Sequence, residues 1–206
     1  MGKLTTLSVL SVFTSFSLVA KQPSFNYIET GFITLDDPNI GYELDGYKLK
    51  GMIQISKNLF ISAEYKSASD KKMQQMLPRS NESTYTMAGI GYKSRVKSQL
   101  SFYTRVAHIN FNYDNIGSGI LNNNVVTTRD KSSANGYLAG LGFKSLVTRQ
   151  TELYWELAHL NIESISQTQM TLGTRQKMNK TMAIYTEYEA NDFGSEEFSI
   201  GLSINF

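Results

Sequence analysis

The sequence predicts an all-β fold, an antiparallel up-and-down transmembrane β-barrel of about ten strands, and three observations lead there. The last stretch, Glu196 to Phe206, sets Phe198, Ile200, Leu202, Ile204 and Phe206 against Glu197, Ser199, Gly201, Ser203 and Asn205, a period of two that fits a strand with one apolar and one polar face. Stretches of the same kind recur along the chain, joined alternately by short turns and longer loops, as in an outer-membrane barrel. Past the first twenty residues no segment stays apolar for the ~20 positions a membrane helix needs, so a membrane is crossed by strands.

At 206 residues the chain suits one domain. A formal charge of +2 offers no field for nucleic acid, and the absence of cysteine excludes disulfides, thiolate metal sites and a cysteine nucleophile. Residues 1–20, MGKLTTLSVLSVFTSFSLVA, combine Lys3, an apolar core and small residues, which predicts a secretory signal peptide ahead of a barrel domain over 21–206.

The mature chain opens on Ser24 to Thr34, with Ile28 and Phe32 able to face one way and Tyr27, Glu29 and Gly31 the other. Asp36, Asp37, Pro38, Asn39 and Gly41 then make a loop. Strand two, Tyr47 to Ser56, and strand three, from Leu59, are separated by about three residues and must be antiparallel neighbours. A polar loop is expected from Ala68 to Glu82, then strand four, Thr84 to Lys93, and, after a basic turn at Arg95 and Lys97, strand five, Leu100 to Asn110. A longer loop is expected from Asn112 to Asn135. Strand six, Tyr137 to Lys144, repeats the rhythm of strand four, and strand seven, Glu152 to Asn161, matches strand five at Tyr103 with Tyr154, Ala107 with Ala158 and His108 with His159. Strands eight, Gln167 to Gln176, and nine, Met182 to Glu189, flank a turn at Lys177 to Lys180, and Asn191, Asp192 and Gly194 lead into the last strand. Phe206 as a terminal aromatic, with Phe198, reads as the signal that barrel assembly machinery recognises, and this strand must pair with the first.

The opening FNYIETGF, Phe25 to Phe32, and the stretch from Gly46 to Tyr65 resemble a family of small Gram-negative outer-membrane barrels that begin Tyr-Asn-Tyr-Val-Glu-Ala-Gly-Tyr, some of whose members are described as quorum or immune-eliciting factors. Ile28 and Thr30 depart from that form. The resemblance implies an outer-membrane barrel and supplies no catalytic residues.

Alternation does not say which face is inside; the polar set does. Glu29, Glu64, Arg105, Glu156 and Glu187 fall midway along the odd-numbered strands, and Lys48, Lys50, Lys93, Lys144 and Arg175 along the even ones. Tyr27, Phe60, Tyr103, Tyr154 and Tyr185 lie between them, which suits a crowded, wet lumen. Tyr47, Tyr65, Tyr92, Phe143, Trp155 and Tyr188 fall in the outward set, where amphipathic rings anchor at membrane interfaces. Charges on neighbouring strands would pair and brace the wall, or line an ion or solute path, in a lumen too narrow for a wide pore.

His108 and His159 follow the apolar phase, which favours an interfacial role over acid-base catalysis. Gly89 with Gly91 and Gly140 with Gly142 lack the third glycine and helix of a dinucleotide site and read as room for facing aromatic rings. Asp70, Glu82, Asp114 and Asp130 lack calcium-loop spacing, and no cofactor or metal is expected. Lys71, Lys72, Arg79, Arg129 and Lys131 could meet lipopolysaccharide from loops facing outward. The expected function is a monomeric outer-membrane barrel, in contact with membrane lipid, with a plugged or narrowly conducting lumen. The alternative is a surface ligand-binding barrel using loops 68–82 and 112–135. A barrel lipid hydrolase or acyltransferase and a secreted soluble β protein come after these.

Overall fold

In the computed structural model, which describes residues 22–38, 42–74, 77–121, 124–163 and 165–206, period-two alternation becomes one closed wall. The expected leader, residues 1–20, lies outside the described residues. The strands are β1 (Tyr27–Asp37), β2 (Tyr42–Gln54), β3 (Leu59–Gln74), β4 (Leu77–Lys97), β5 (Leu100–Leu121), β6 (Asn124–Leu146), β7 (Thr151–Ile162), β8 (Ile165–Lys177), β9 (Met182–Asn191) and β10 (Glu196–Asn205). Each pairs antiparallel with its sequence neighbours, and β1 pairs with β10 from Tyr27 opposite Asn205 to Asp36 opposite Glu196. That seam satisfies both would-be edges, which is what permits strands to sit in hydrocarbon.

The apolar set faces outward: Leu157 is 39% and Leu202 45% exposed, and Ile53 and Ile61 are exposed as well. Aromatic rings bound this band on both sides. Towards the short turns Phe143 packs against Phe102 and Trp155, with ring centroids 5.2 and 6.3 Å apart, and Tyr92 is exposed two strands away. Towards the other end Tyr47 and Tyr65 pack at 5.9 Å, and Phe32 and Phe198 are exposed. An apolar belt between two aromatic girdles is the outer surface of a transmembrane barrel.

Two expected loops are strands instead. Residues 68–74 with 77–82 and 112–121 with 124–135 carry the β3–β4 and β5–β6 ladders onward, with Ala68 opposite Ser83, Asn112 opposite Ser133 and Leu121 opposite Asn124. Their Asn, Ser and Thr residues lack apolar alternation because Thr127 to Ser133 meet solvent on both faces, so backbone pairing, and not apolar burial, holds the ribbon extended. β3 to β6 therefore rise beyond the other six strands as a four-stranded wall at the loop end. The side chains of Lys71, Lys72 and Arg79 lie outside the described residues.

The lumen is not uniformly polar. Met87, Ile109, Leu138 and Leu160 form a buried cluster inside the upper barrel, and Ile33, Leu44 and Ala68 form another at the loop-end rim. The alternation keeps its phase while its polarity inverts: His108 and His159 point out while Ile109 and Leu160 point in. Above the hydrocarbon layer the outside is wet, so apolar side chains there are buried only by turning inward.

Candidate functional site

Glu29, Lys48, Lys50, Glu64, Lys93, Arg105, Lys144, Glu156, Arg175 and Glu187 are buried on the inner face. Glu152, Glu189, Glu197 and Lys66 join them, the first three buried and the last nearly so. Among the described residues the fourteen divide into seven acidic and seven basic side chains, so their formal charges balance.

Lys48, on β2, is fully buried and uses its three donors on three carboxylates: Glu187 Oε1 at 2.5 Å, Glu189 Oε1 at 2.7 Å and Glu197 Oε1 at 3.1 Å. Glu64 Oε1 lies 3.4 Å from the same ammonium. Each carboxylate has a second cation: Lys50 donates to Glu187 Oε2 at 2.7 Å, and Lys66 donates to Glu189 Oε2 at 2.6 Å and Glu197 Oε2 at 2.9 Å. Alternating charges thus run from β2 and β3 across to β9 and β10. Between β2 and β9, Gly31 pairs with Gly201 at the seam, and a Cβ at Gly31 would stand 2.5 Å from the Tyr185 hydroxyl. The missing side chains leave space for Tyr185 to lie across the wall.

A second group sits near the short turns. Arg175 on β8 spans Glu29 on β1 and Glu152 on β7, using Nε for one and Nη1 for the other. Its guanidinium lies 3.8 Å from the centroid of the Tyr27 ring and 4.6 Å from that of Tyr154, an arrangement for a planar, delocalised cation. Arg105 closes a third bridge, its Nη2 2.6 Å and its Nε 3.0 Å from Glu156 Oε1.

The partners are in part those expected. Arg175 pairs side by side with Glu152 on the neighbouring strand, and Lys48 lies 3.4 Å from Glu64 on the next one, yet Lys48 also reaches from β2 to β9 and Arg105 skips β6 to reach β7. Long side chains in a narrow lumen find the opposite wall as readily as the next strand. Gly140, on the skipped strand, would put a Cβ 3.1 Å from Glu156 Oε1, so its small size keeps that bridge open. The aromatic rings use glycines likewise: a Cβ at Gly91 would fall 2.1 Å from the Phe60 ring and one at Gly142 2.6 Å from that of Tyr103. The four additional charges share the inward phase of Glu64, Tyr154, Glu187 and Ser199 and lie at or near the ends of the strands already expected.

A cavity bordered by Lys50, Glu64, Arg105 and Glu189 has about 10 Å³ for water, room for about one molecule. His108 and His159 are exposed on the outer wall, with His159 Nε2 3.2 Å from Ser166 Oγ.

On the β5–β6 ribbon, outside the membrane-spanning wall, Arg129 grips Asp114 with two guanidinium nitrogens, and Lys131 Nζ lies 3.2 Å from Asp114 Oδ2. The Arg129 hydrogen bond, with help from Lys131, holds the Asp114 carboxyl down at about 2. The folded value lies below that of an unfolded chain, so the pair favours the ribbon above the ordinary carboxylate range and loses its effect as pH falls through about 2. In a carboxyl-carbon NMR titration Asp114 should titrate near pH 2, and Arg129→Gln should return it towards ~3.9. An Asp114 that titrates normally beside intact Arg129 would refute the pairing.

No known family profile and no curated protein matches this chain. Among solved structures it is similar to the NanC porin at 10% identity, over 87% of this chain and 100% of that one, with a TM-score of 0.52. OprG of Pseudomonas aeruginosa follows at 9% identity, 91% and 99% coverage and a TM-score of 0.49, and Ail of Yersinia pestis at 10%, 89% and 100%, and 0.47. The likeness to NanC is one of fold alone, and the other two add nothing to it. Together with the outward apolar belt and the charged interior, it gives this chain the fold of an outer-membrane β-barrel.

Proposed function

We propose that the protein is an outer-membrane barrel whose lumen is braced shut and which acts at the cell surface, without catalytic activity. The observation that carries this reading is the network on Lys48, which ties β2 and β3 to β9 and β10 at mid-height beside a cavity with room for about one water. Apolar clusters stand at both ends, around Phe25 below and around Ile33 and Leu44 above. The purified protein in a planar bilayer should give no resolved conductance steps between pH 5 and 8. Large, steady steps would overturn the closed lumen.

A second reading is favoured by the raised wall of β3 to β6: surface recognition, with lipopolysaccharide or a surface ligand meeting the exposed Arg129 and Lys131. Its test is adhesion by cells displaying a barrel shortened between Tyr113 and Ser132, which face one another in the ladder below Arg129 and Lys131. Adhesion equal to that of the full ribbon would count against it. The catalytic alternative has less support, because His159 and Ser166 meet on the outer wall with no third group orienting the imidazole among the described residues. The leader and the assembly role of Phe198 and Phe206 belong to the same proposal. Removing Phe206 should lower the yield of assembled barrel in cells while leaving refolding in detergent intact.

A further inference from the structure

Ahead of β1, Pro23, Ser24 and Phe25 lie outside any strand, and Pro23 and Phe25 are buried in the mouth at the short-turn end. Asn26 ties this segment to the wall, its Oδ1 accepting from Gln54 N at 2.7 Å and its carbonyl accepting from Phe206 N at 3.3 Å. Beyond that anchor there is no ladder. Ser24 N donates to Glu152 Oε2 at 3.0 Å, and Lys144 Nζ donates to the Ser24 carbonyl at 3.4 Å.

The Phe25 ring has a built seat. The rings of Phe60 and Tyr103 pack against it at 5.1 and 5.8 Å, and the ammonium groups of Lys93 and Lys144 stand 4.5 and 4.6 Å from its centroid. Among the described residues neither lysine has a carboxylate within 4.0 Å. Lys93 is satisfied by Gln54 Oε1 at 2.6 Å, and Lys144 by Tyr27 Oη at 3.2 Å. In this end group Lys93, Lys144 and Arg175 face Glu29 and Glu152, an excess of one positive charge. A neutral ring is thus the shared counterpart of two buried cations. Its quadrupole attracts each, but more weakly than a carboxylate accepting charge-assisted hydrogen bonds.

We propose that this seat is a binding site for a small aromatic anion of the arylcarboxylate class, which Phe25 occupies as a tethered competitor. The aromatic walls select the ring, and Lys93 and Lys144 select the charge. The unladdered segment before Asn26 is the part that yields. Because the competitor is covalently attached, it acts at a high effective concentration, so the intact chain binds free ligand weakly.

The test is calorimetric titration of the folded barrel in detergent micelles with phenylacetate, and with neutral phenylacetamide as control. Phe25→Ala should bind phenylacetate at least about tenfold more tightly than the unaltered chain, and phenylacetamide should gain much less. Adding Lys93→Gln to Phe25→Ala should remove most of the gain. Equal gains for the two probes, or none, would overturn the proposal. Mobility on an unboiled gel checks folding, and should Phe25→Ala not fold, Phe25→Leu, which keeps apolar bulk but lacks the π face, must show a smaller gain with the same preference for the anion. Binding is read without conductance, so failure here leaves the closed-lumen reading standing.

Discussion

Lys48→Met should lower the free energy of unfolding by about 3–5 kcal/mol, the cost of breaking a buried ion network by removing one partner. Lys48 is fully buried, and its ammonium supplies hydrogen bonds to Glu187, Glu189 and Glu197 together. Met keeps the length and apolar stem, so the loss reports charge and donors rather than a cavity. The carboxylates keep Lys50 and Lys66, but four acids then face two cations. The measurement is equilibrium urea unfolding in lipid vesicles, followed by tryptophan fluorescence from Trp155. Adding Glu189→Gln and Glu197→Gln to Lys48→Met should recover part of the loss, since the surplus negative charge is removed. A single variant within about 1 kcal/mol of the unaltered chain would show that water screens the network.

That prediction rests on a network of which the sequence shows the members better than the wiring. Period-two alternation puts Lys48, Glu64 and Glu187 on one face of their strands and Leu202 and Ile61 on the other, because successive side chains must leave opposite faces. It cannot say that Lys48 meets Glu187, since that depends on which strand stands across the closed lumen. Gly31 and Gly140 look like weak strand residues in sequence; they are the low points over which long side chains pass. Glu189 and Glu197 stand at strand ends, where an acid is as common in water as inside a wall.

The ribbons were illegible for a related reason. From Thr127 to Ser133 no face is buried, so nothing imposes an apolar period and the composition reads as loop. The buried Met87, Ile109 and Leu138 show the converse: a polar lumen holds only where the outside is hydrocarbon. Where His108 and Asn110 turn towards headgroups and water, the apolar half of the alternation belongs inside.

Arg175→Met should cost a similar amount, about 3–5 kcal/mol, because Glu29 and Glu152 are both buried and both depend on one guanidinium. The more informative change is Arg175→Lys. It keeps the charge, but an ammonium cannot place two donors in a fixed plane towards carboxylates on β1 and β7, nor fill the slot between Tyr27 and Tyr154 as a flat group does. Lys should therefore recover less than half of the loss in the same urea titration, and Glu29→Gln combined with Arg175→Met should recover more than Lys does. The ordering follows from geometry: the double variant removes a stranded charge, whereas Lys leaves both acids while reaching one. If Lys restores full stability, charge alone holds this end of the barrel, and the planar fork across the closing seam has no energetic part in keeping the wall shut.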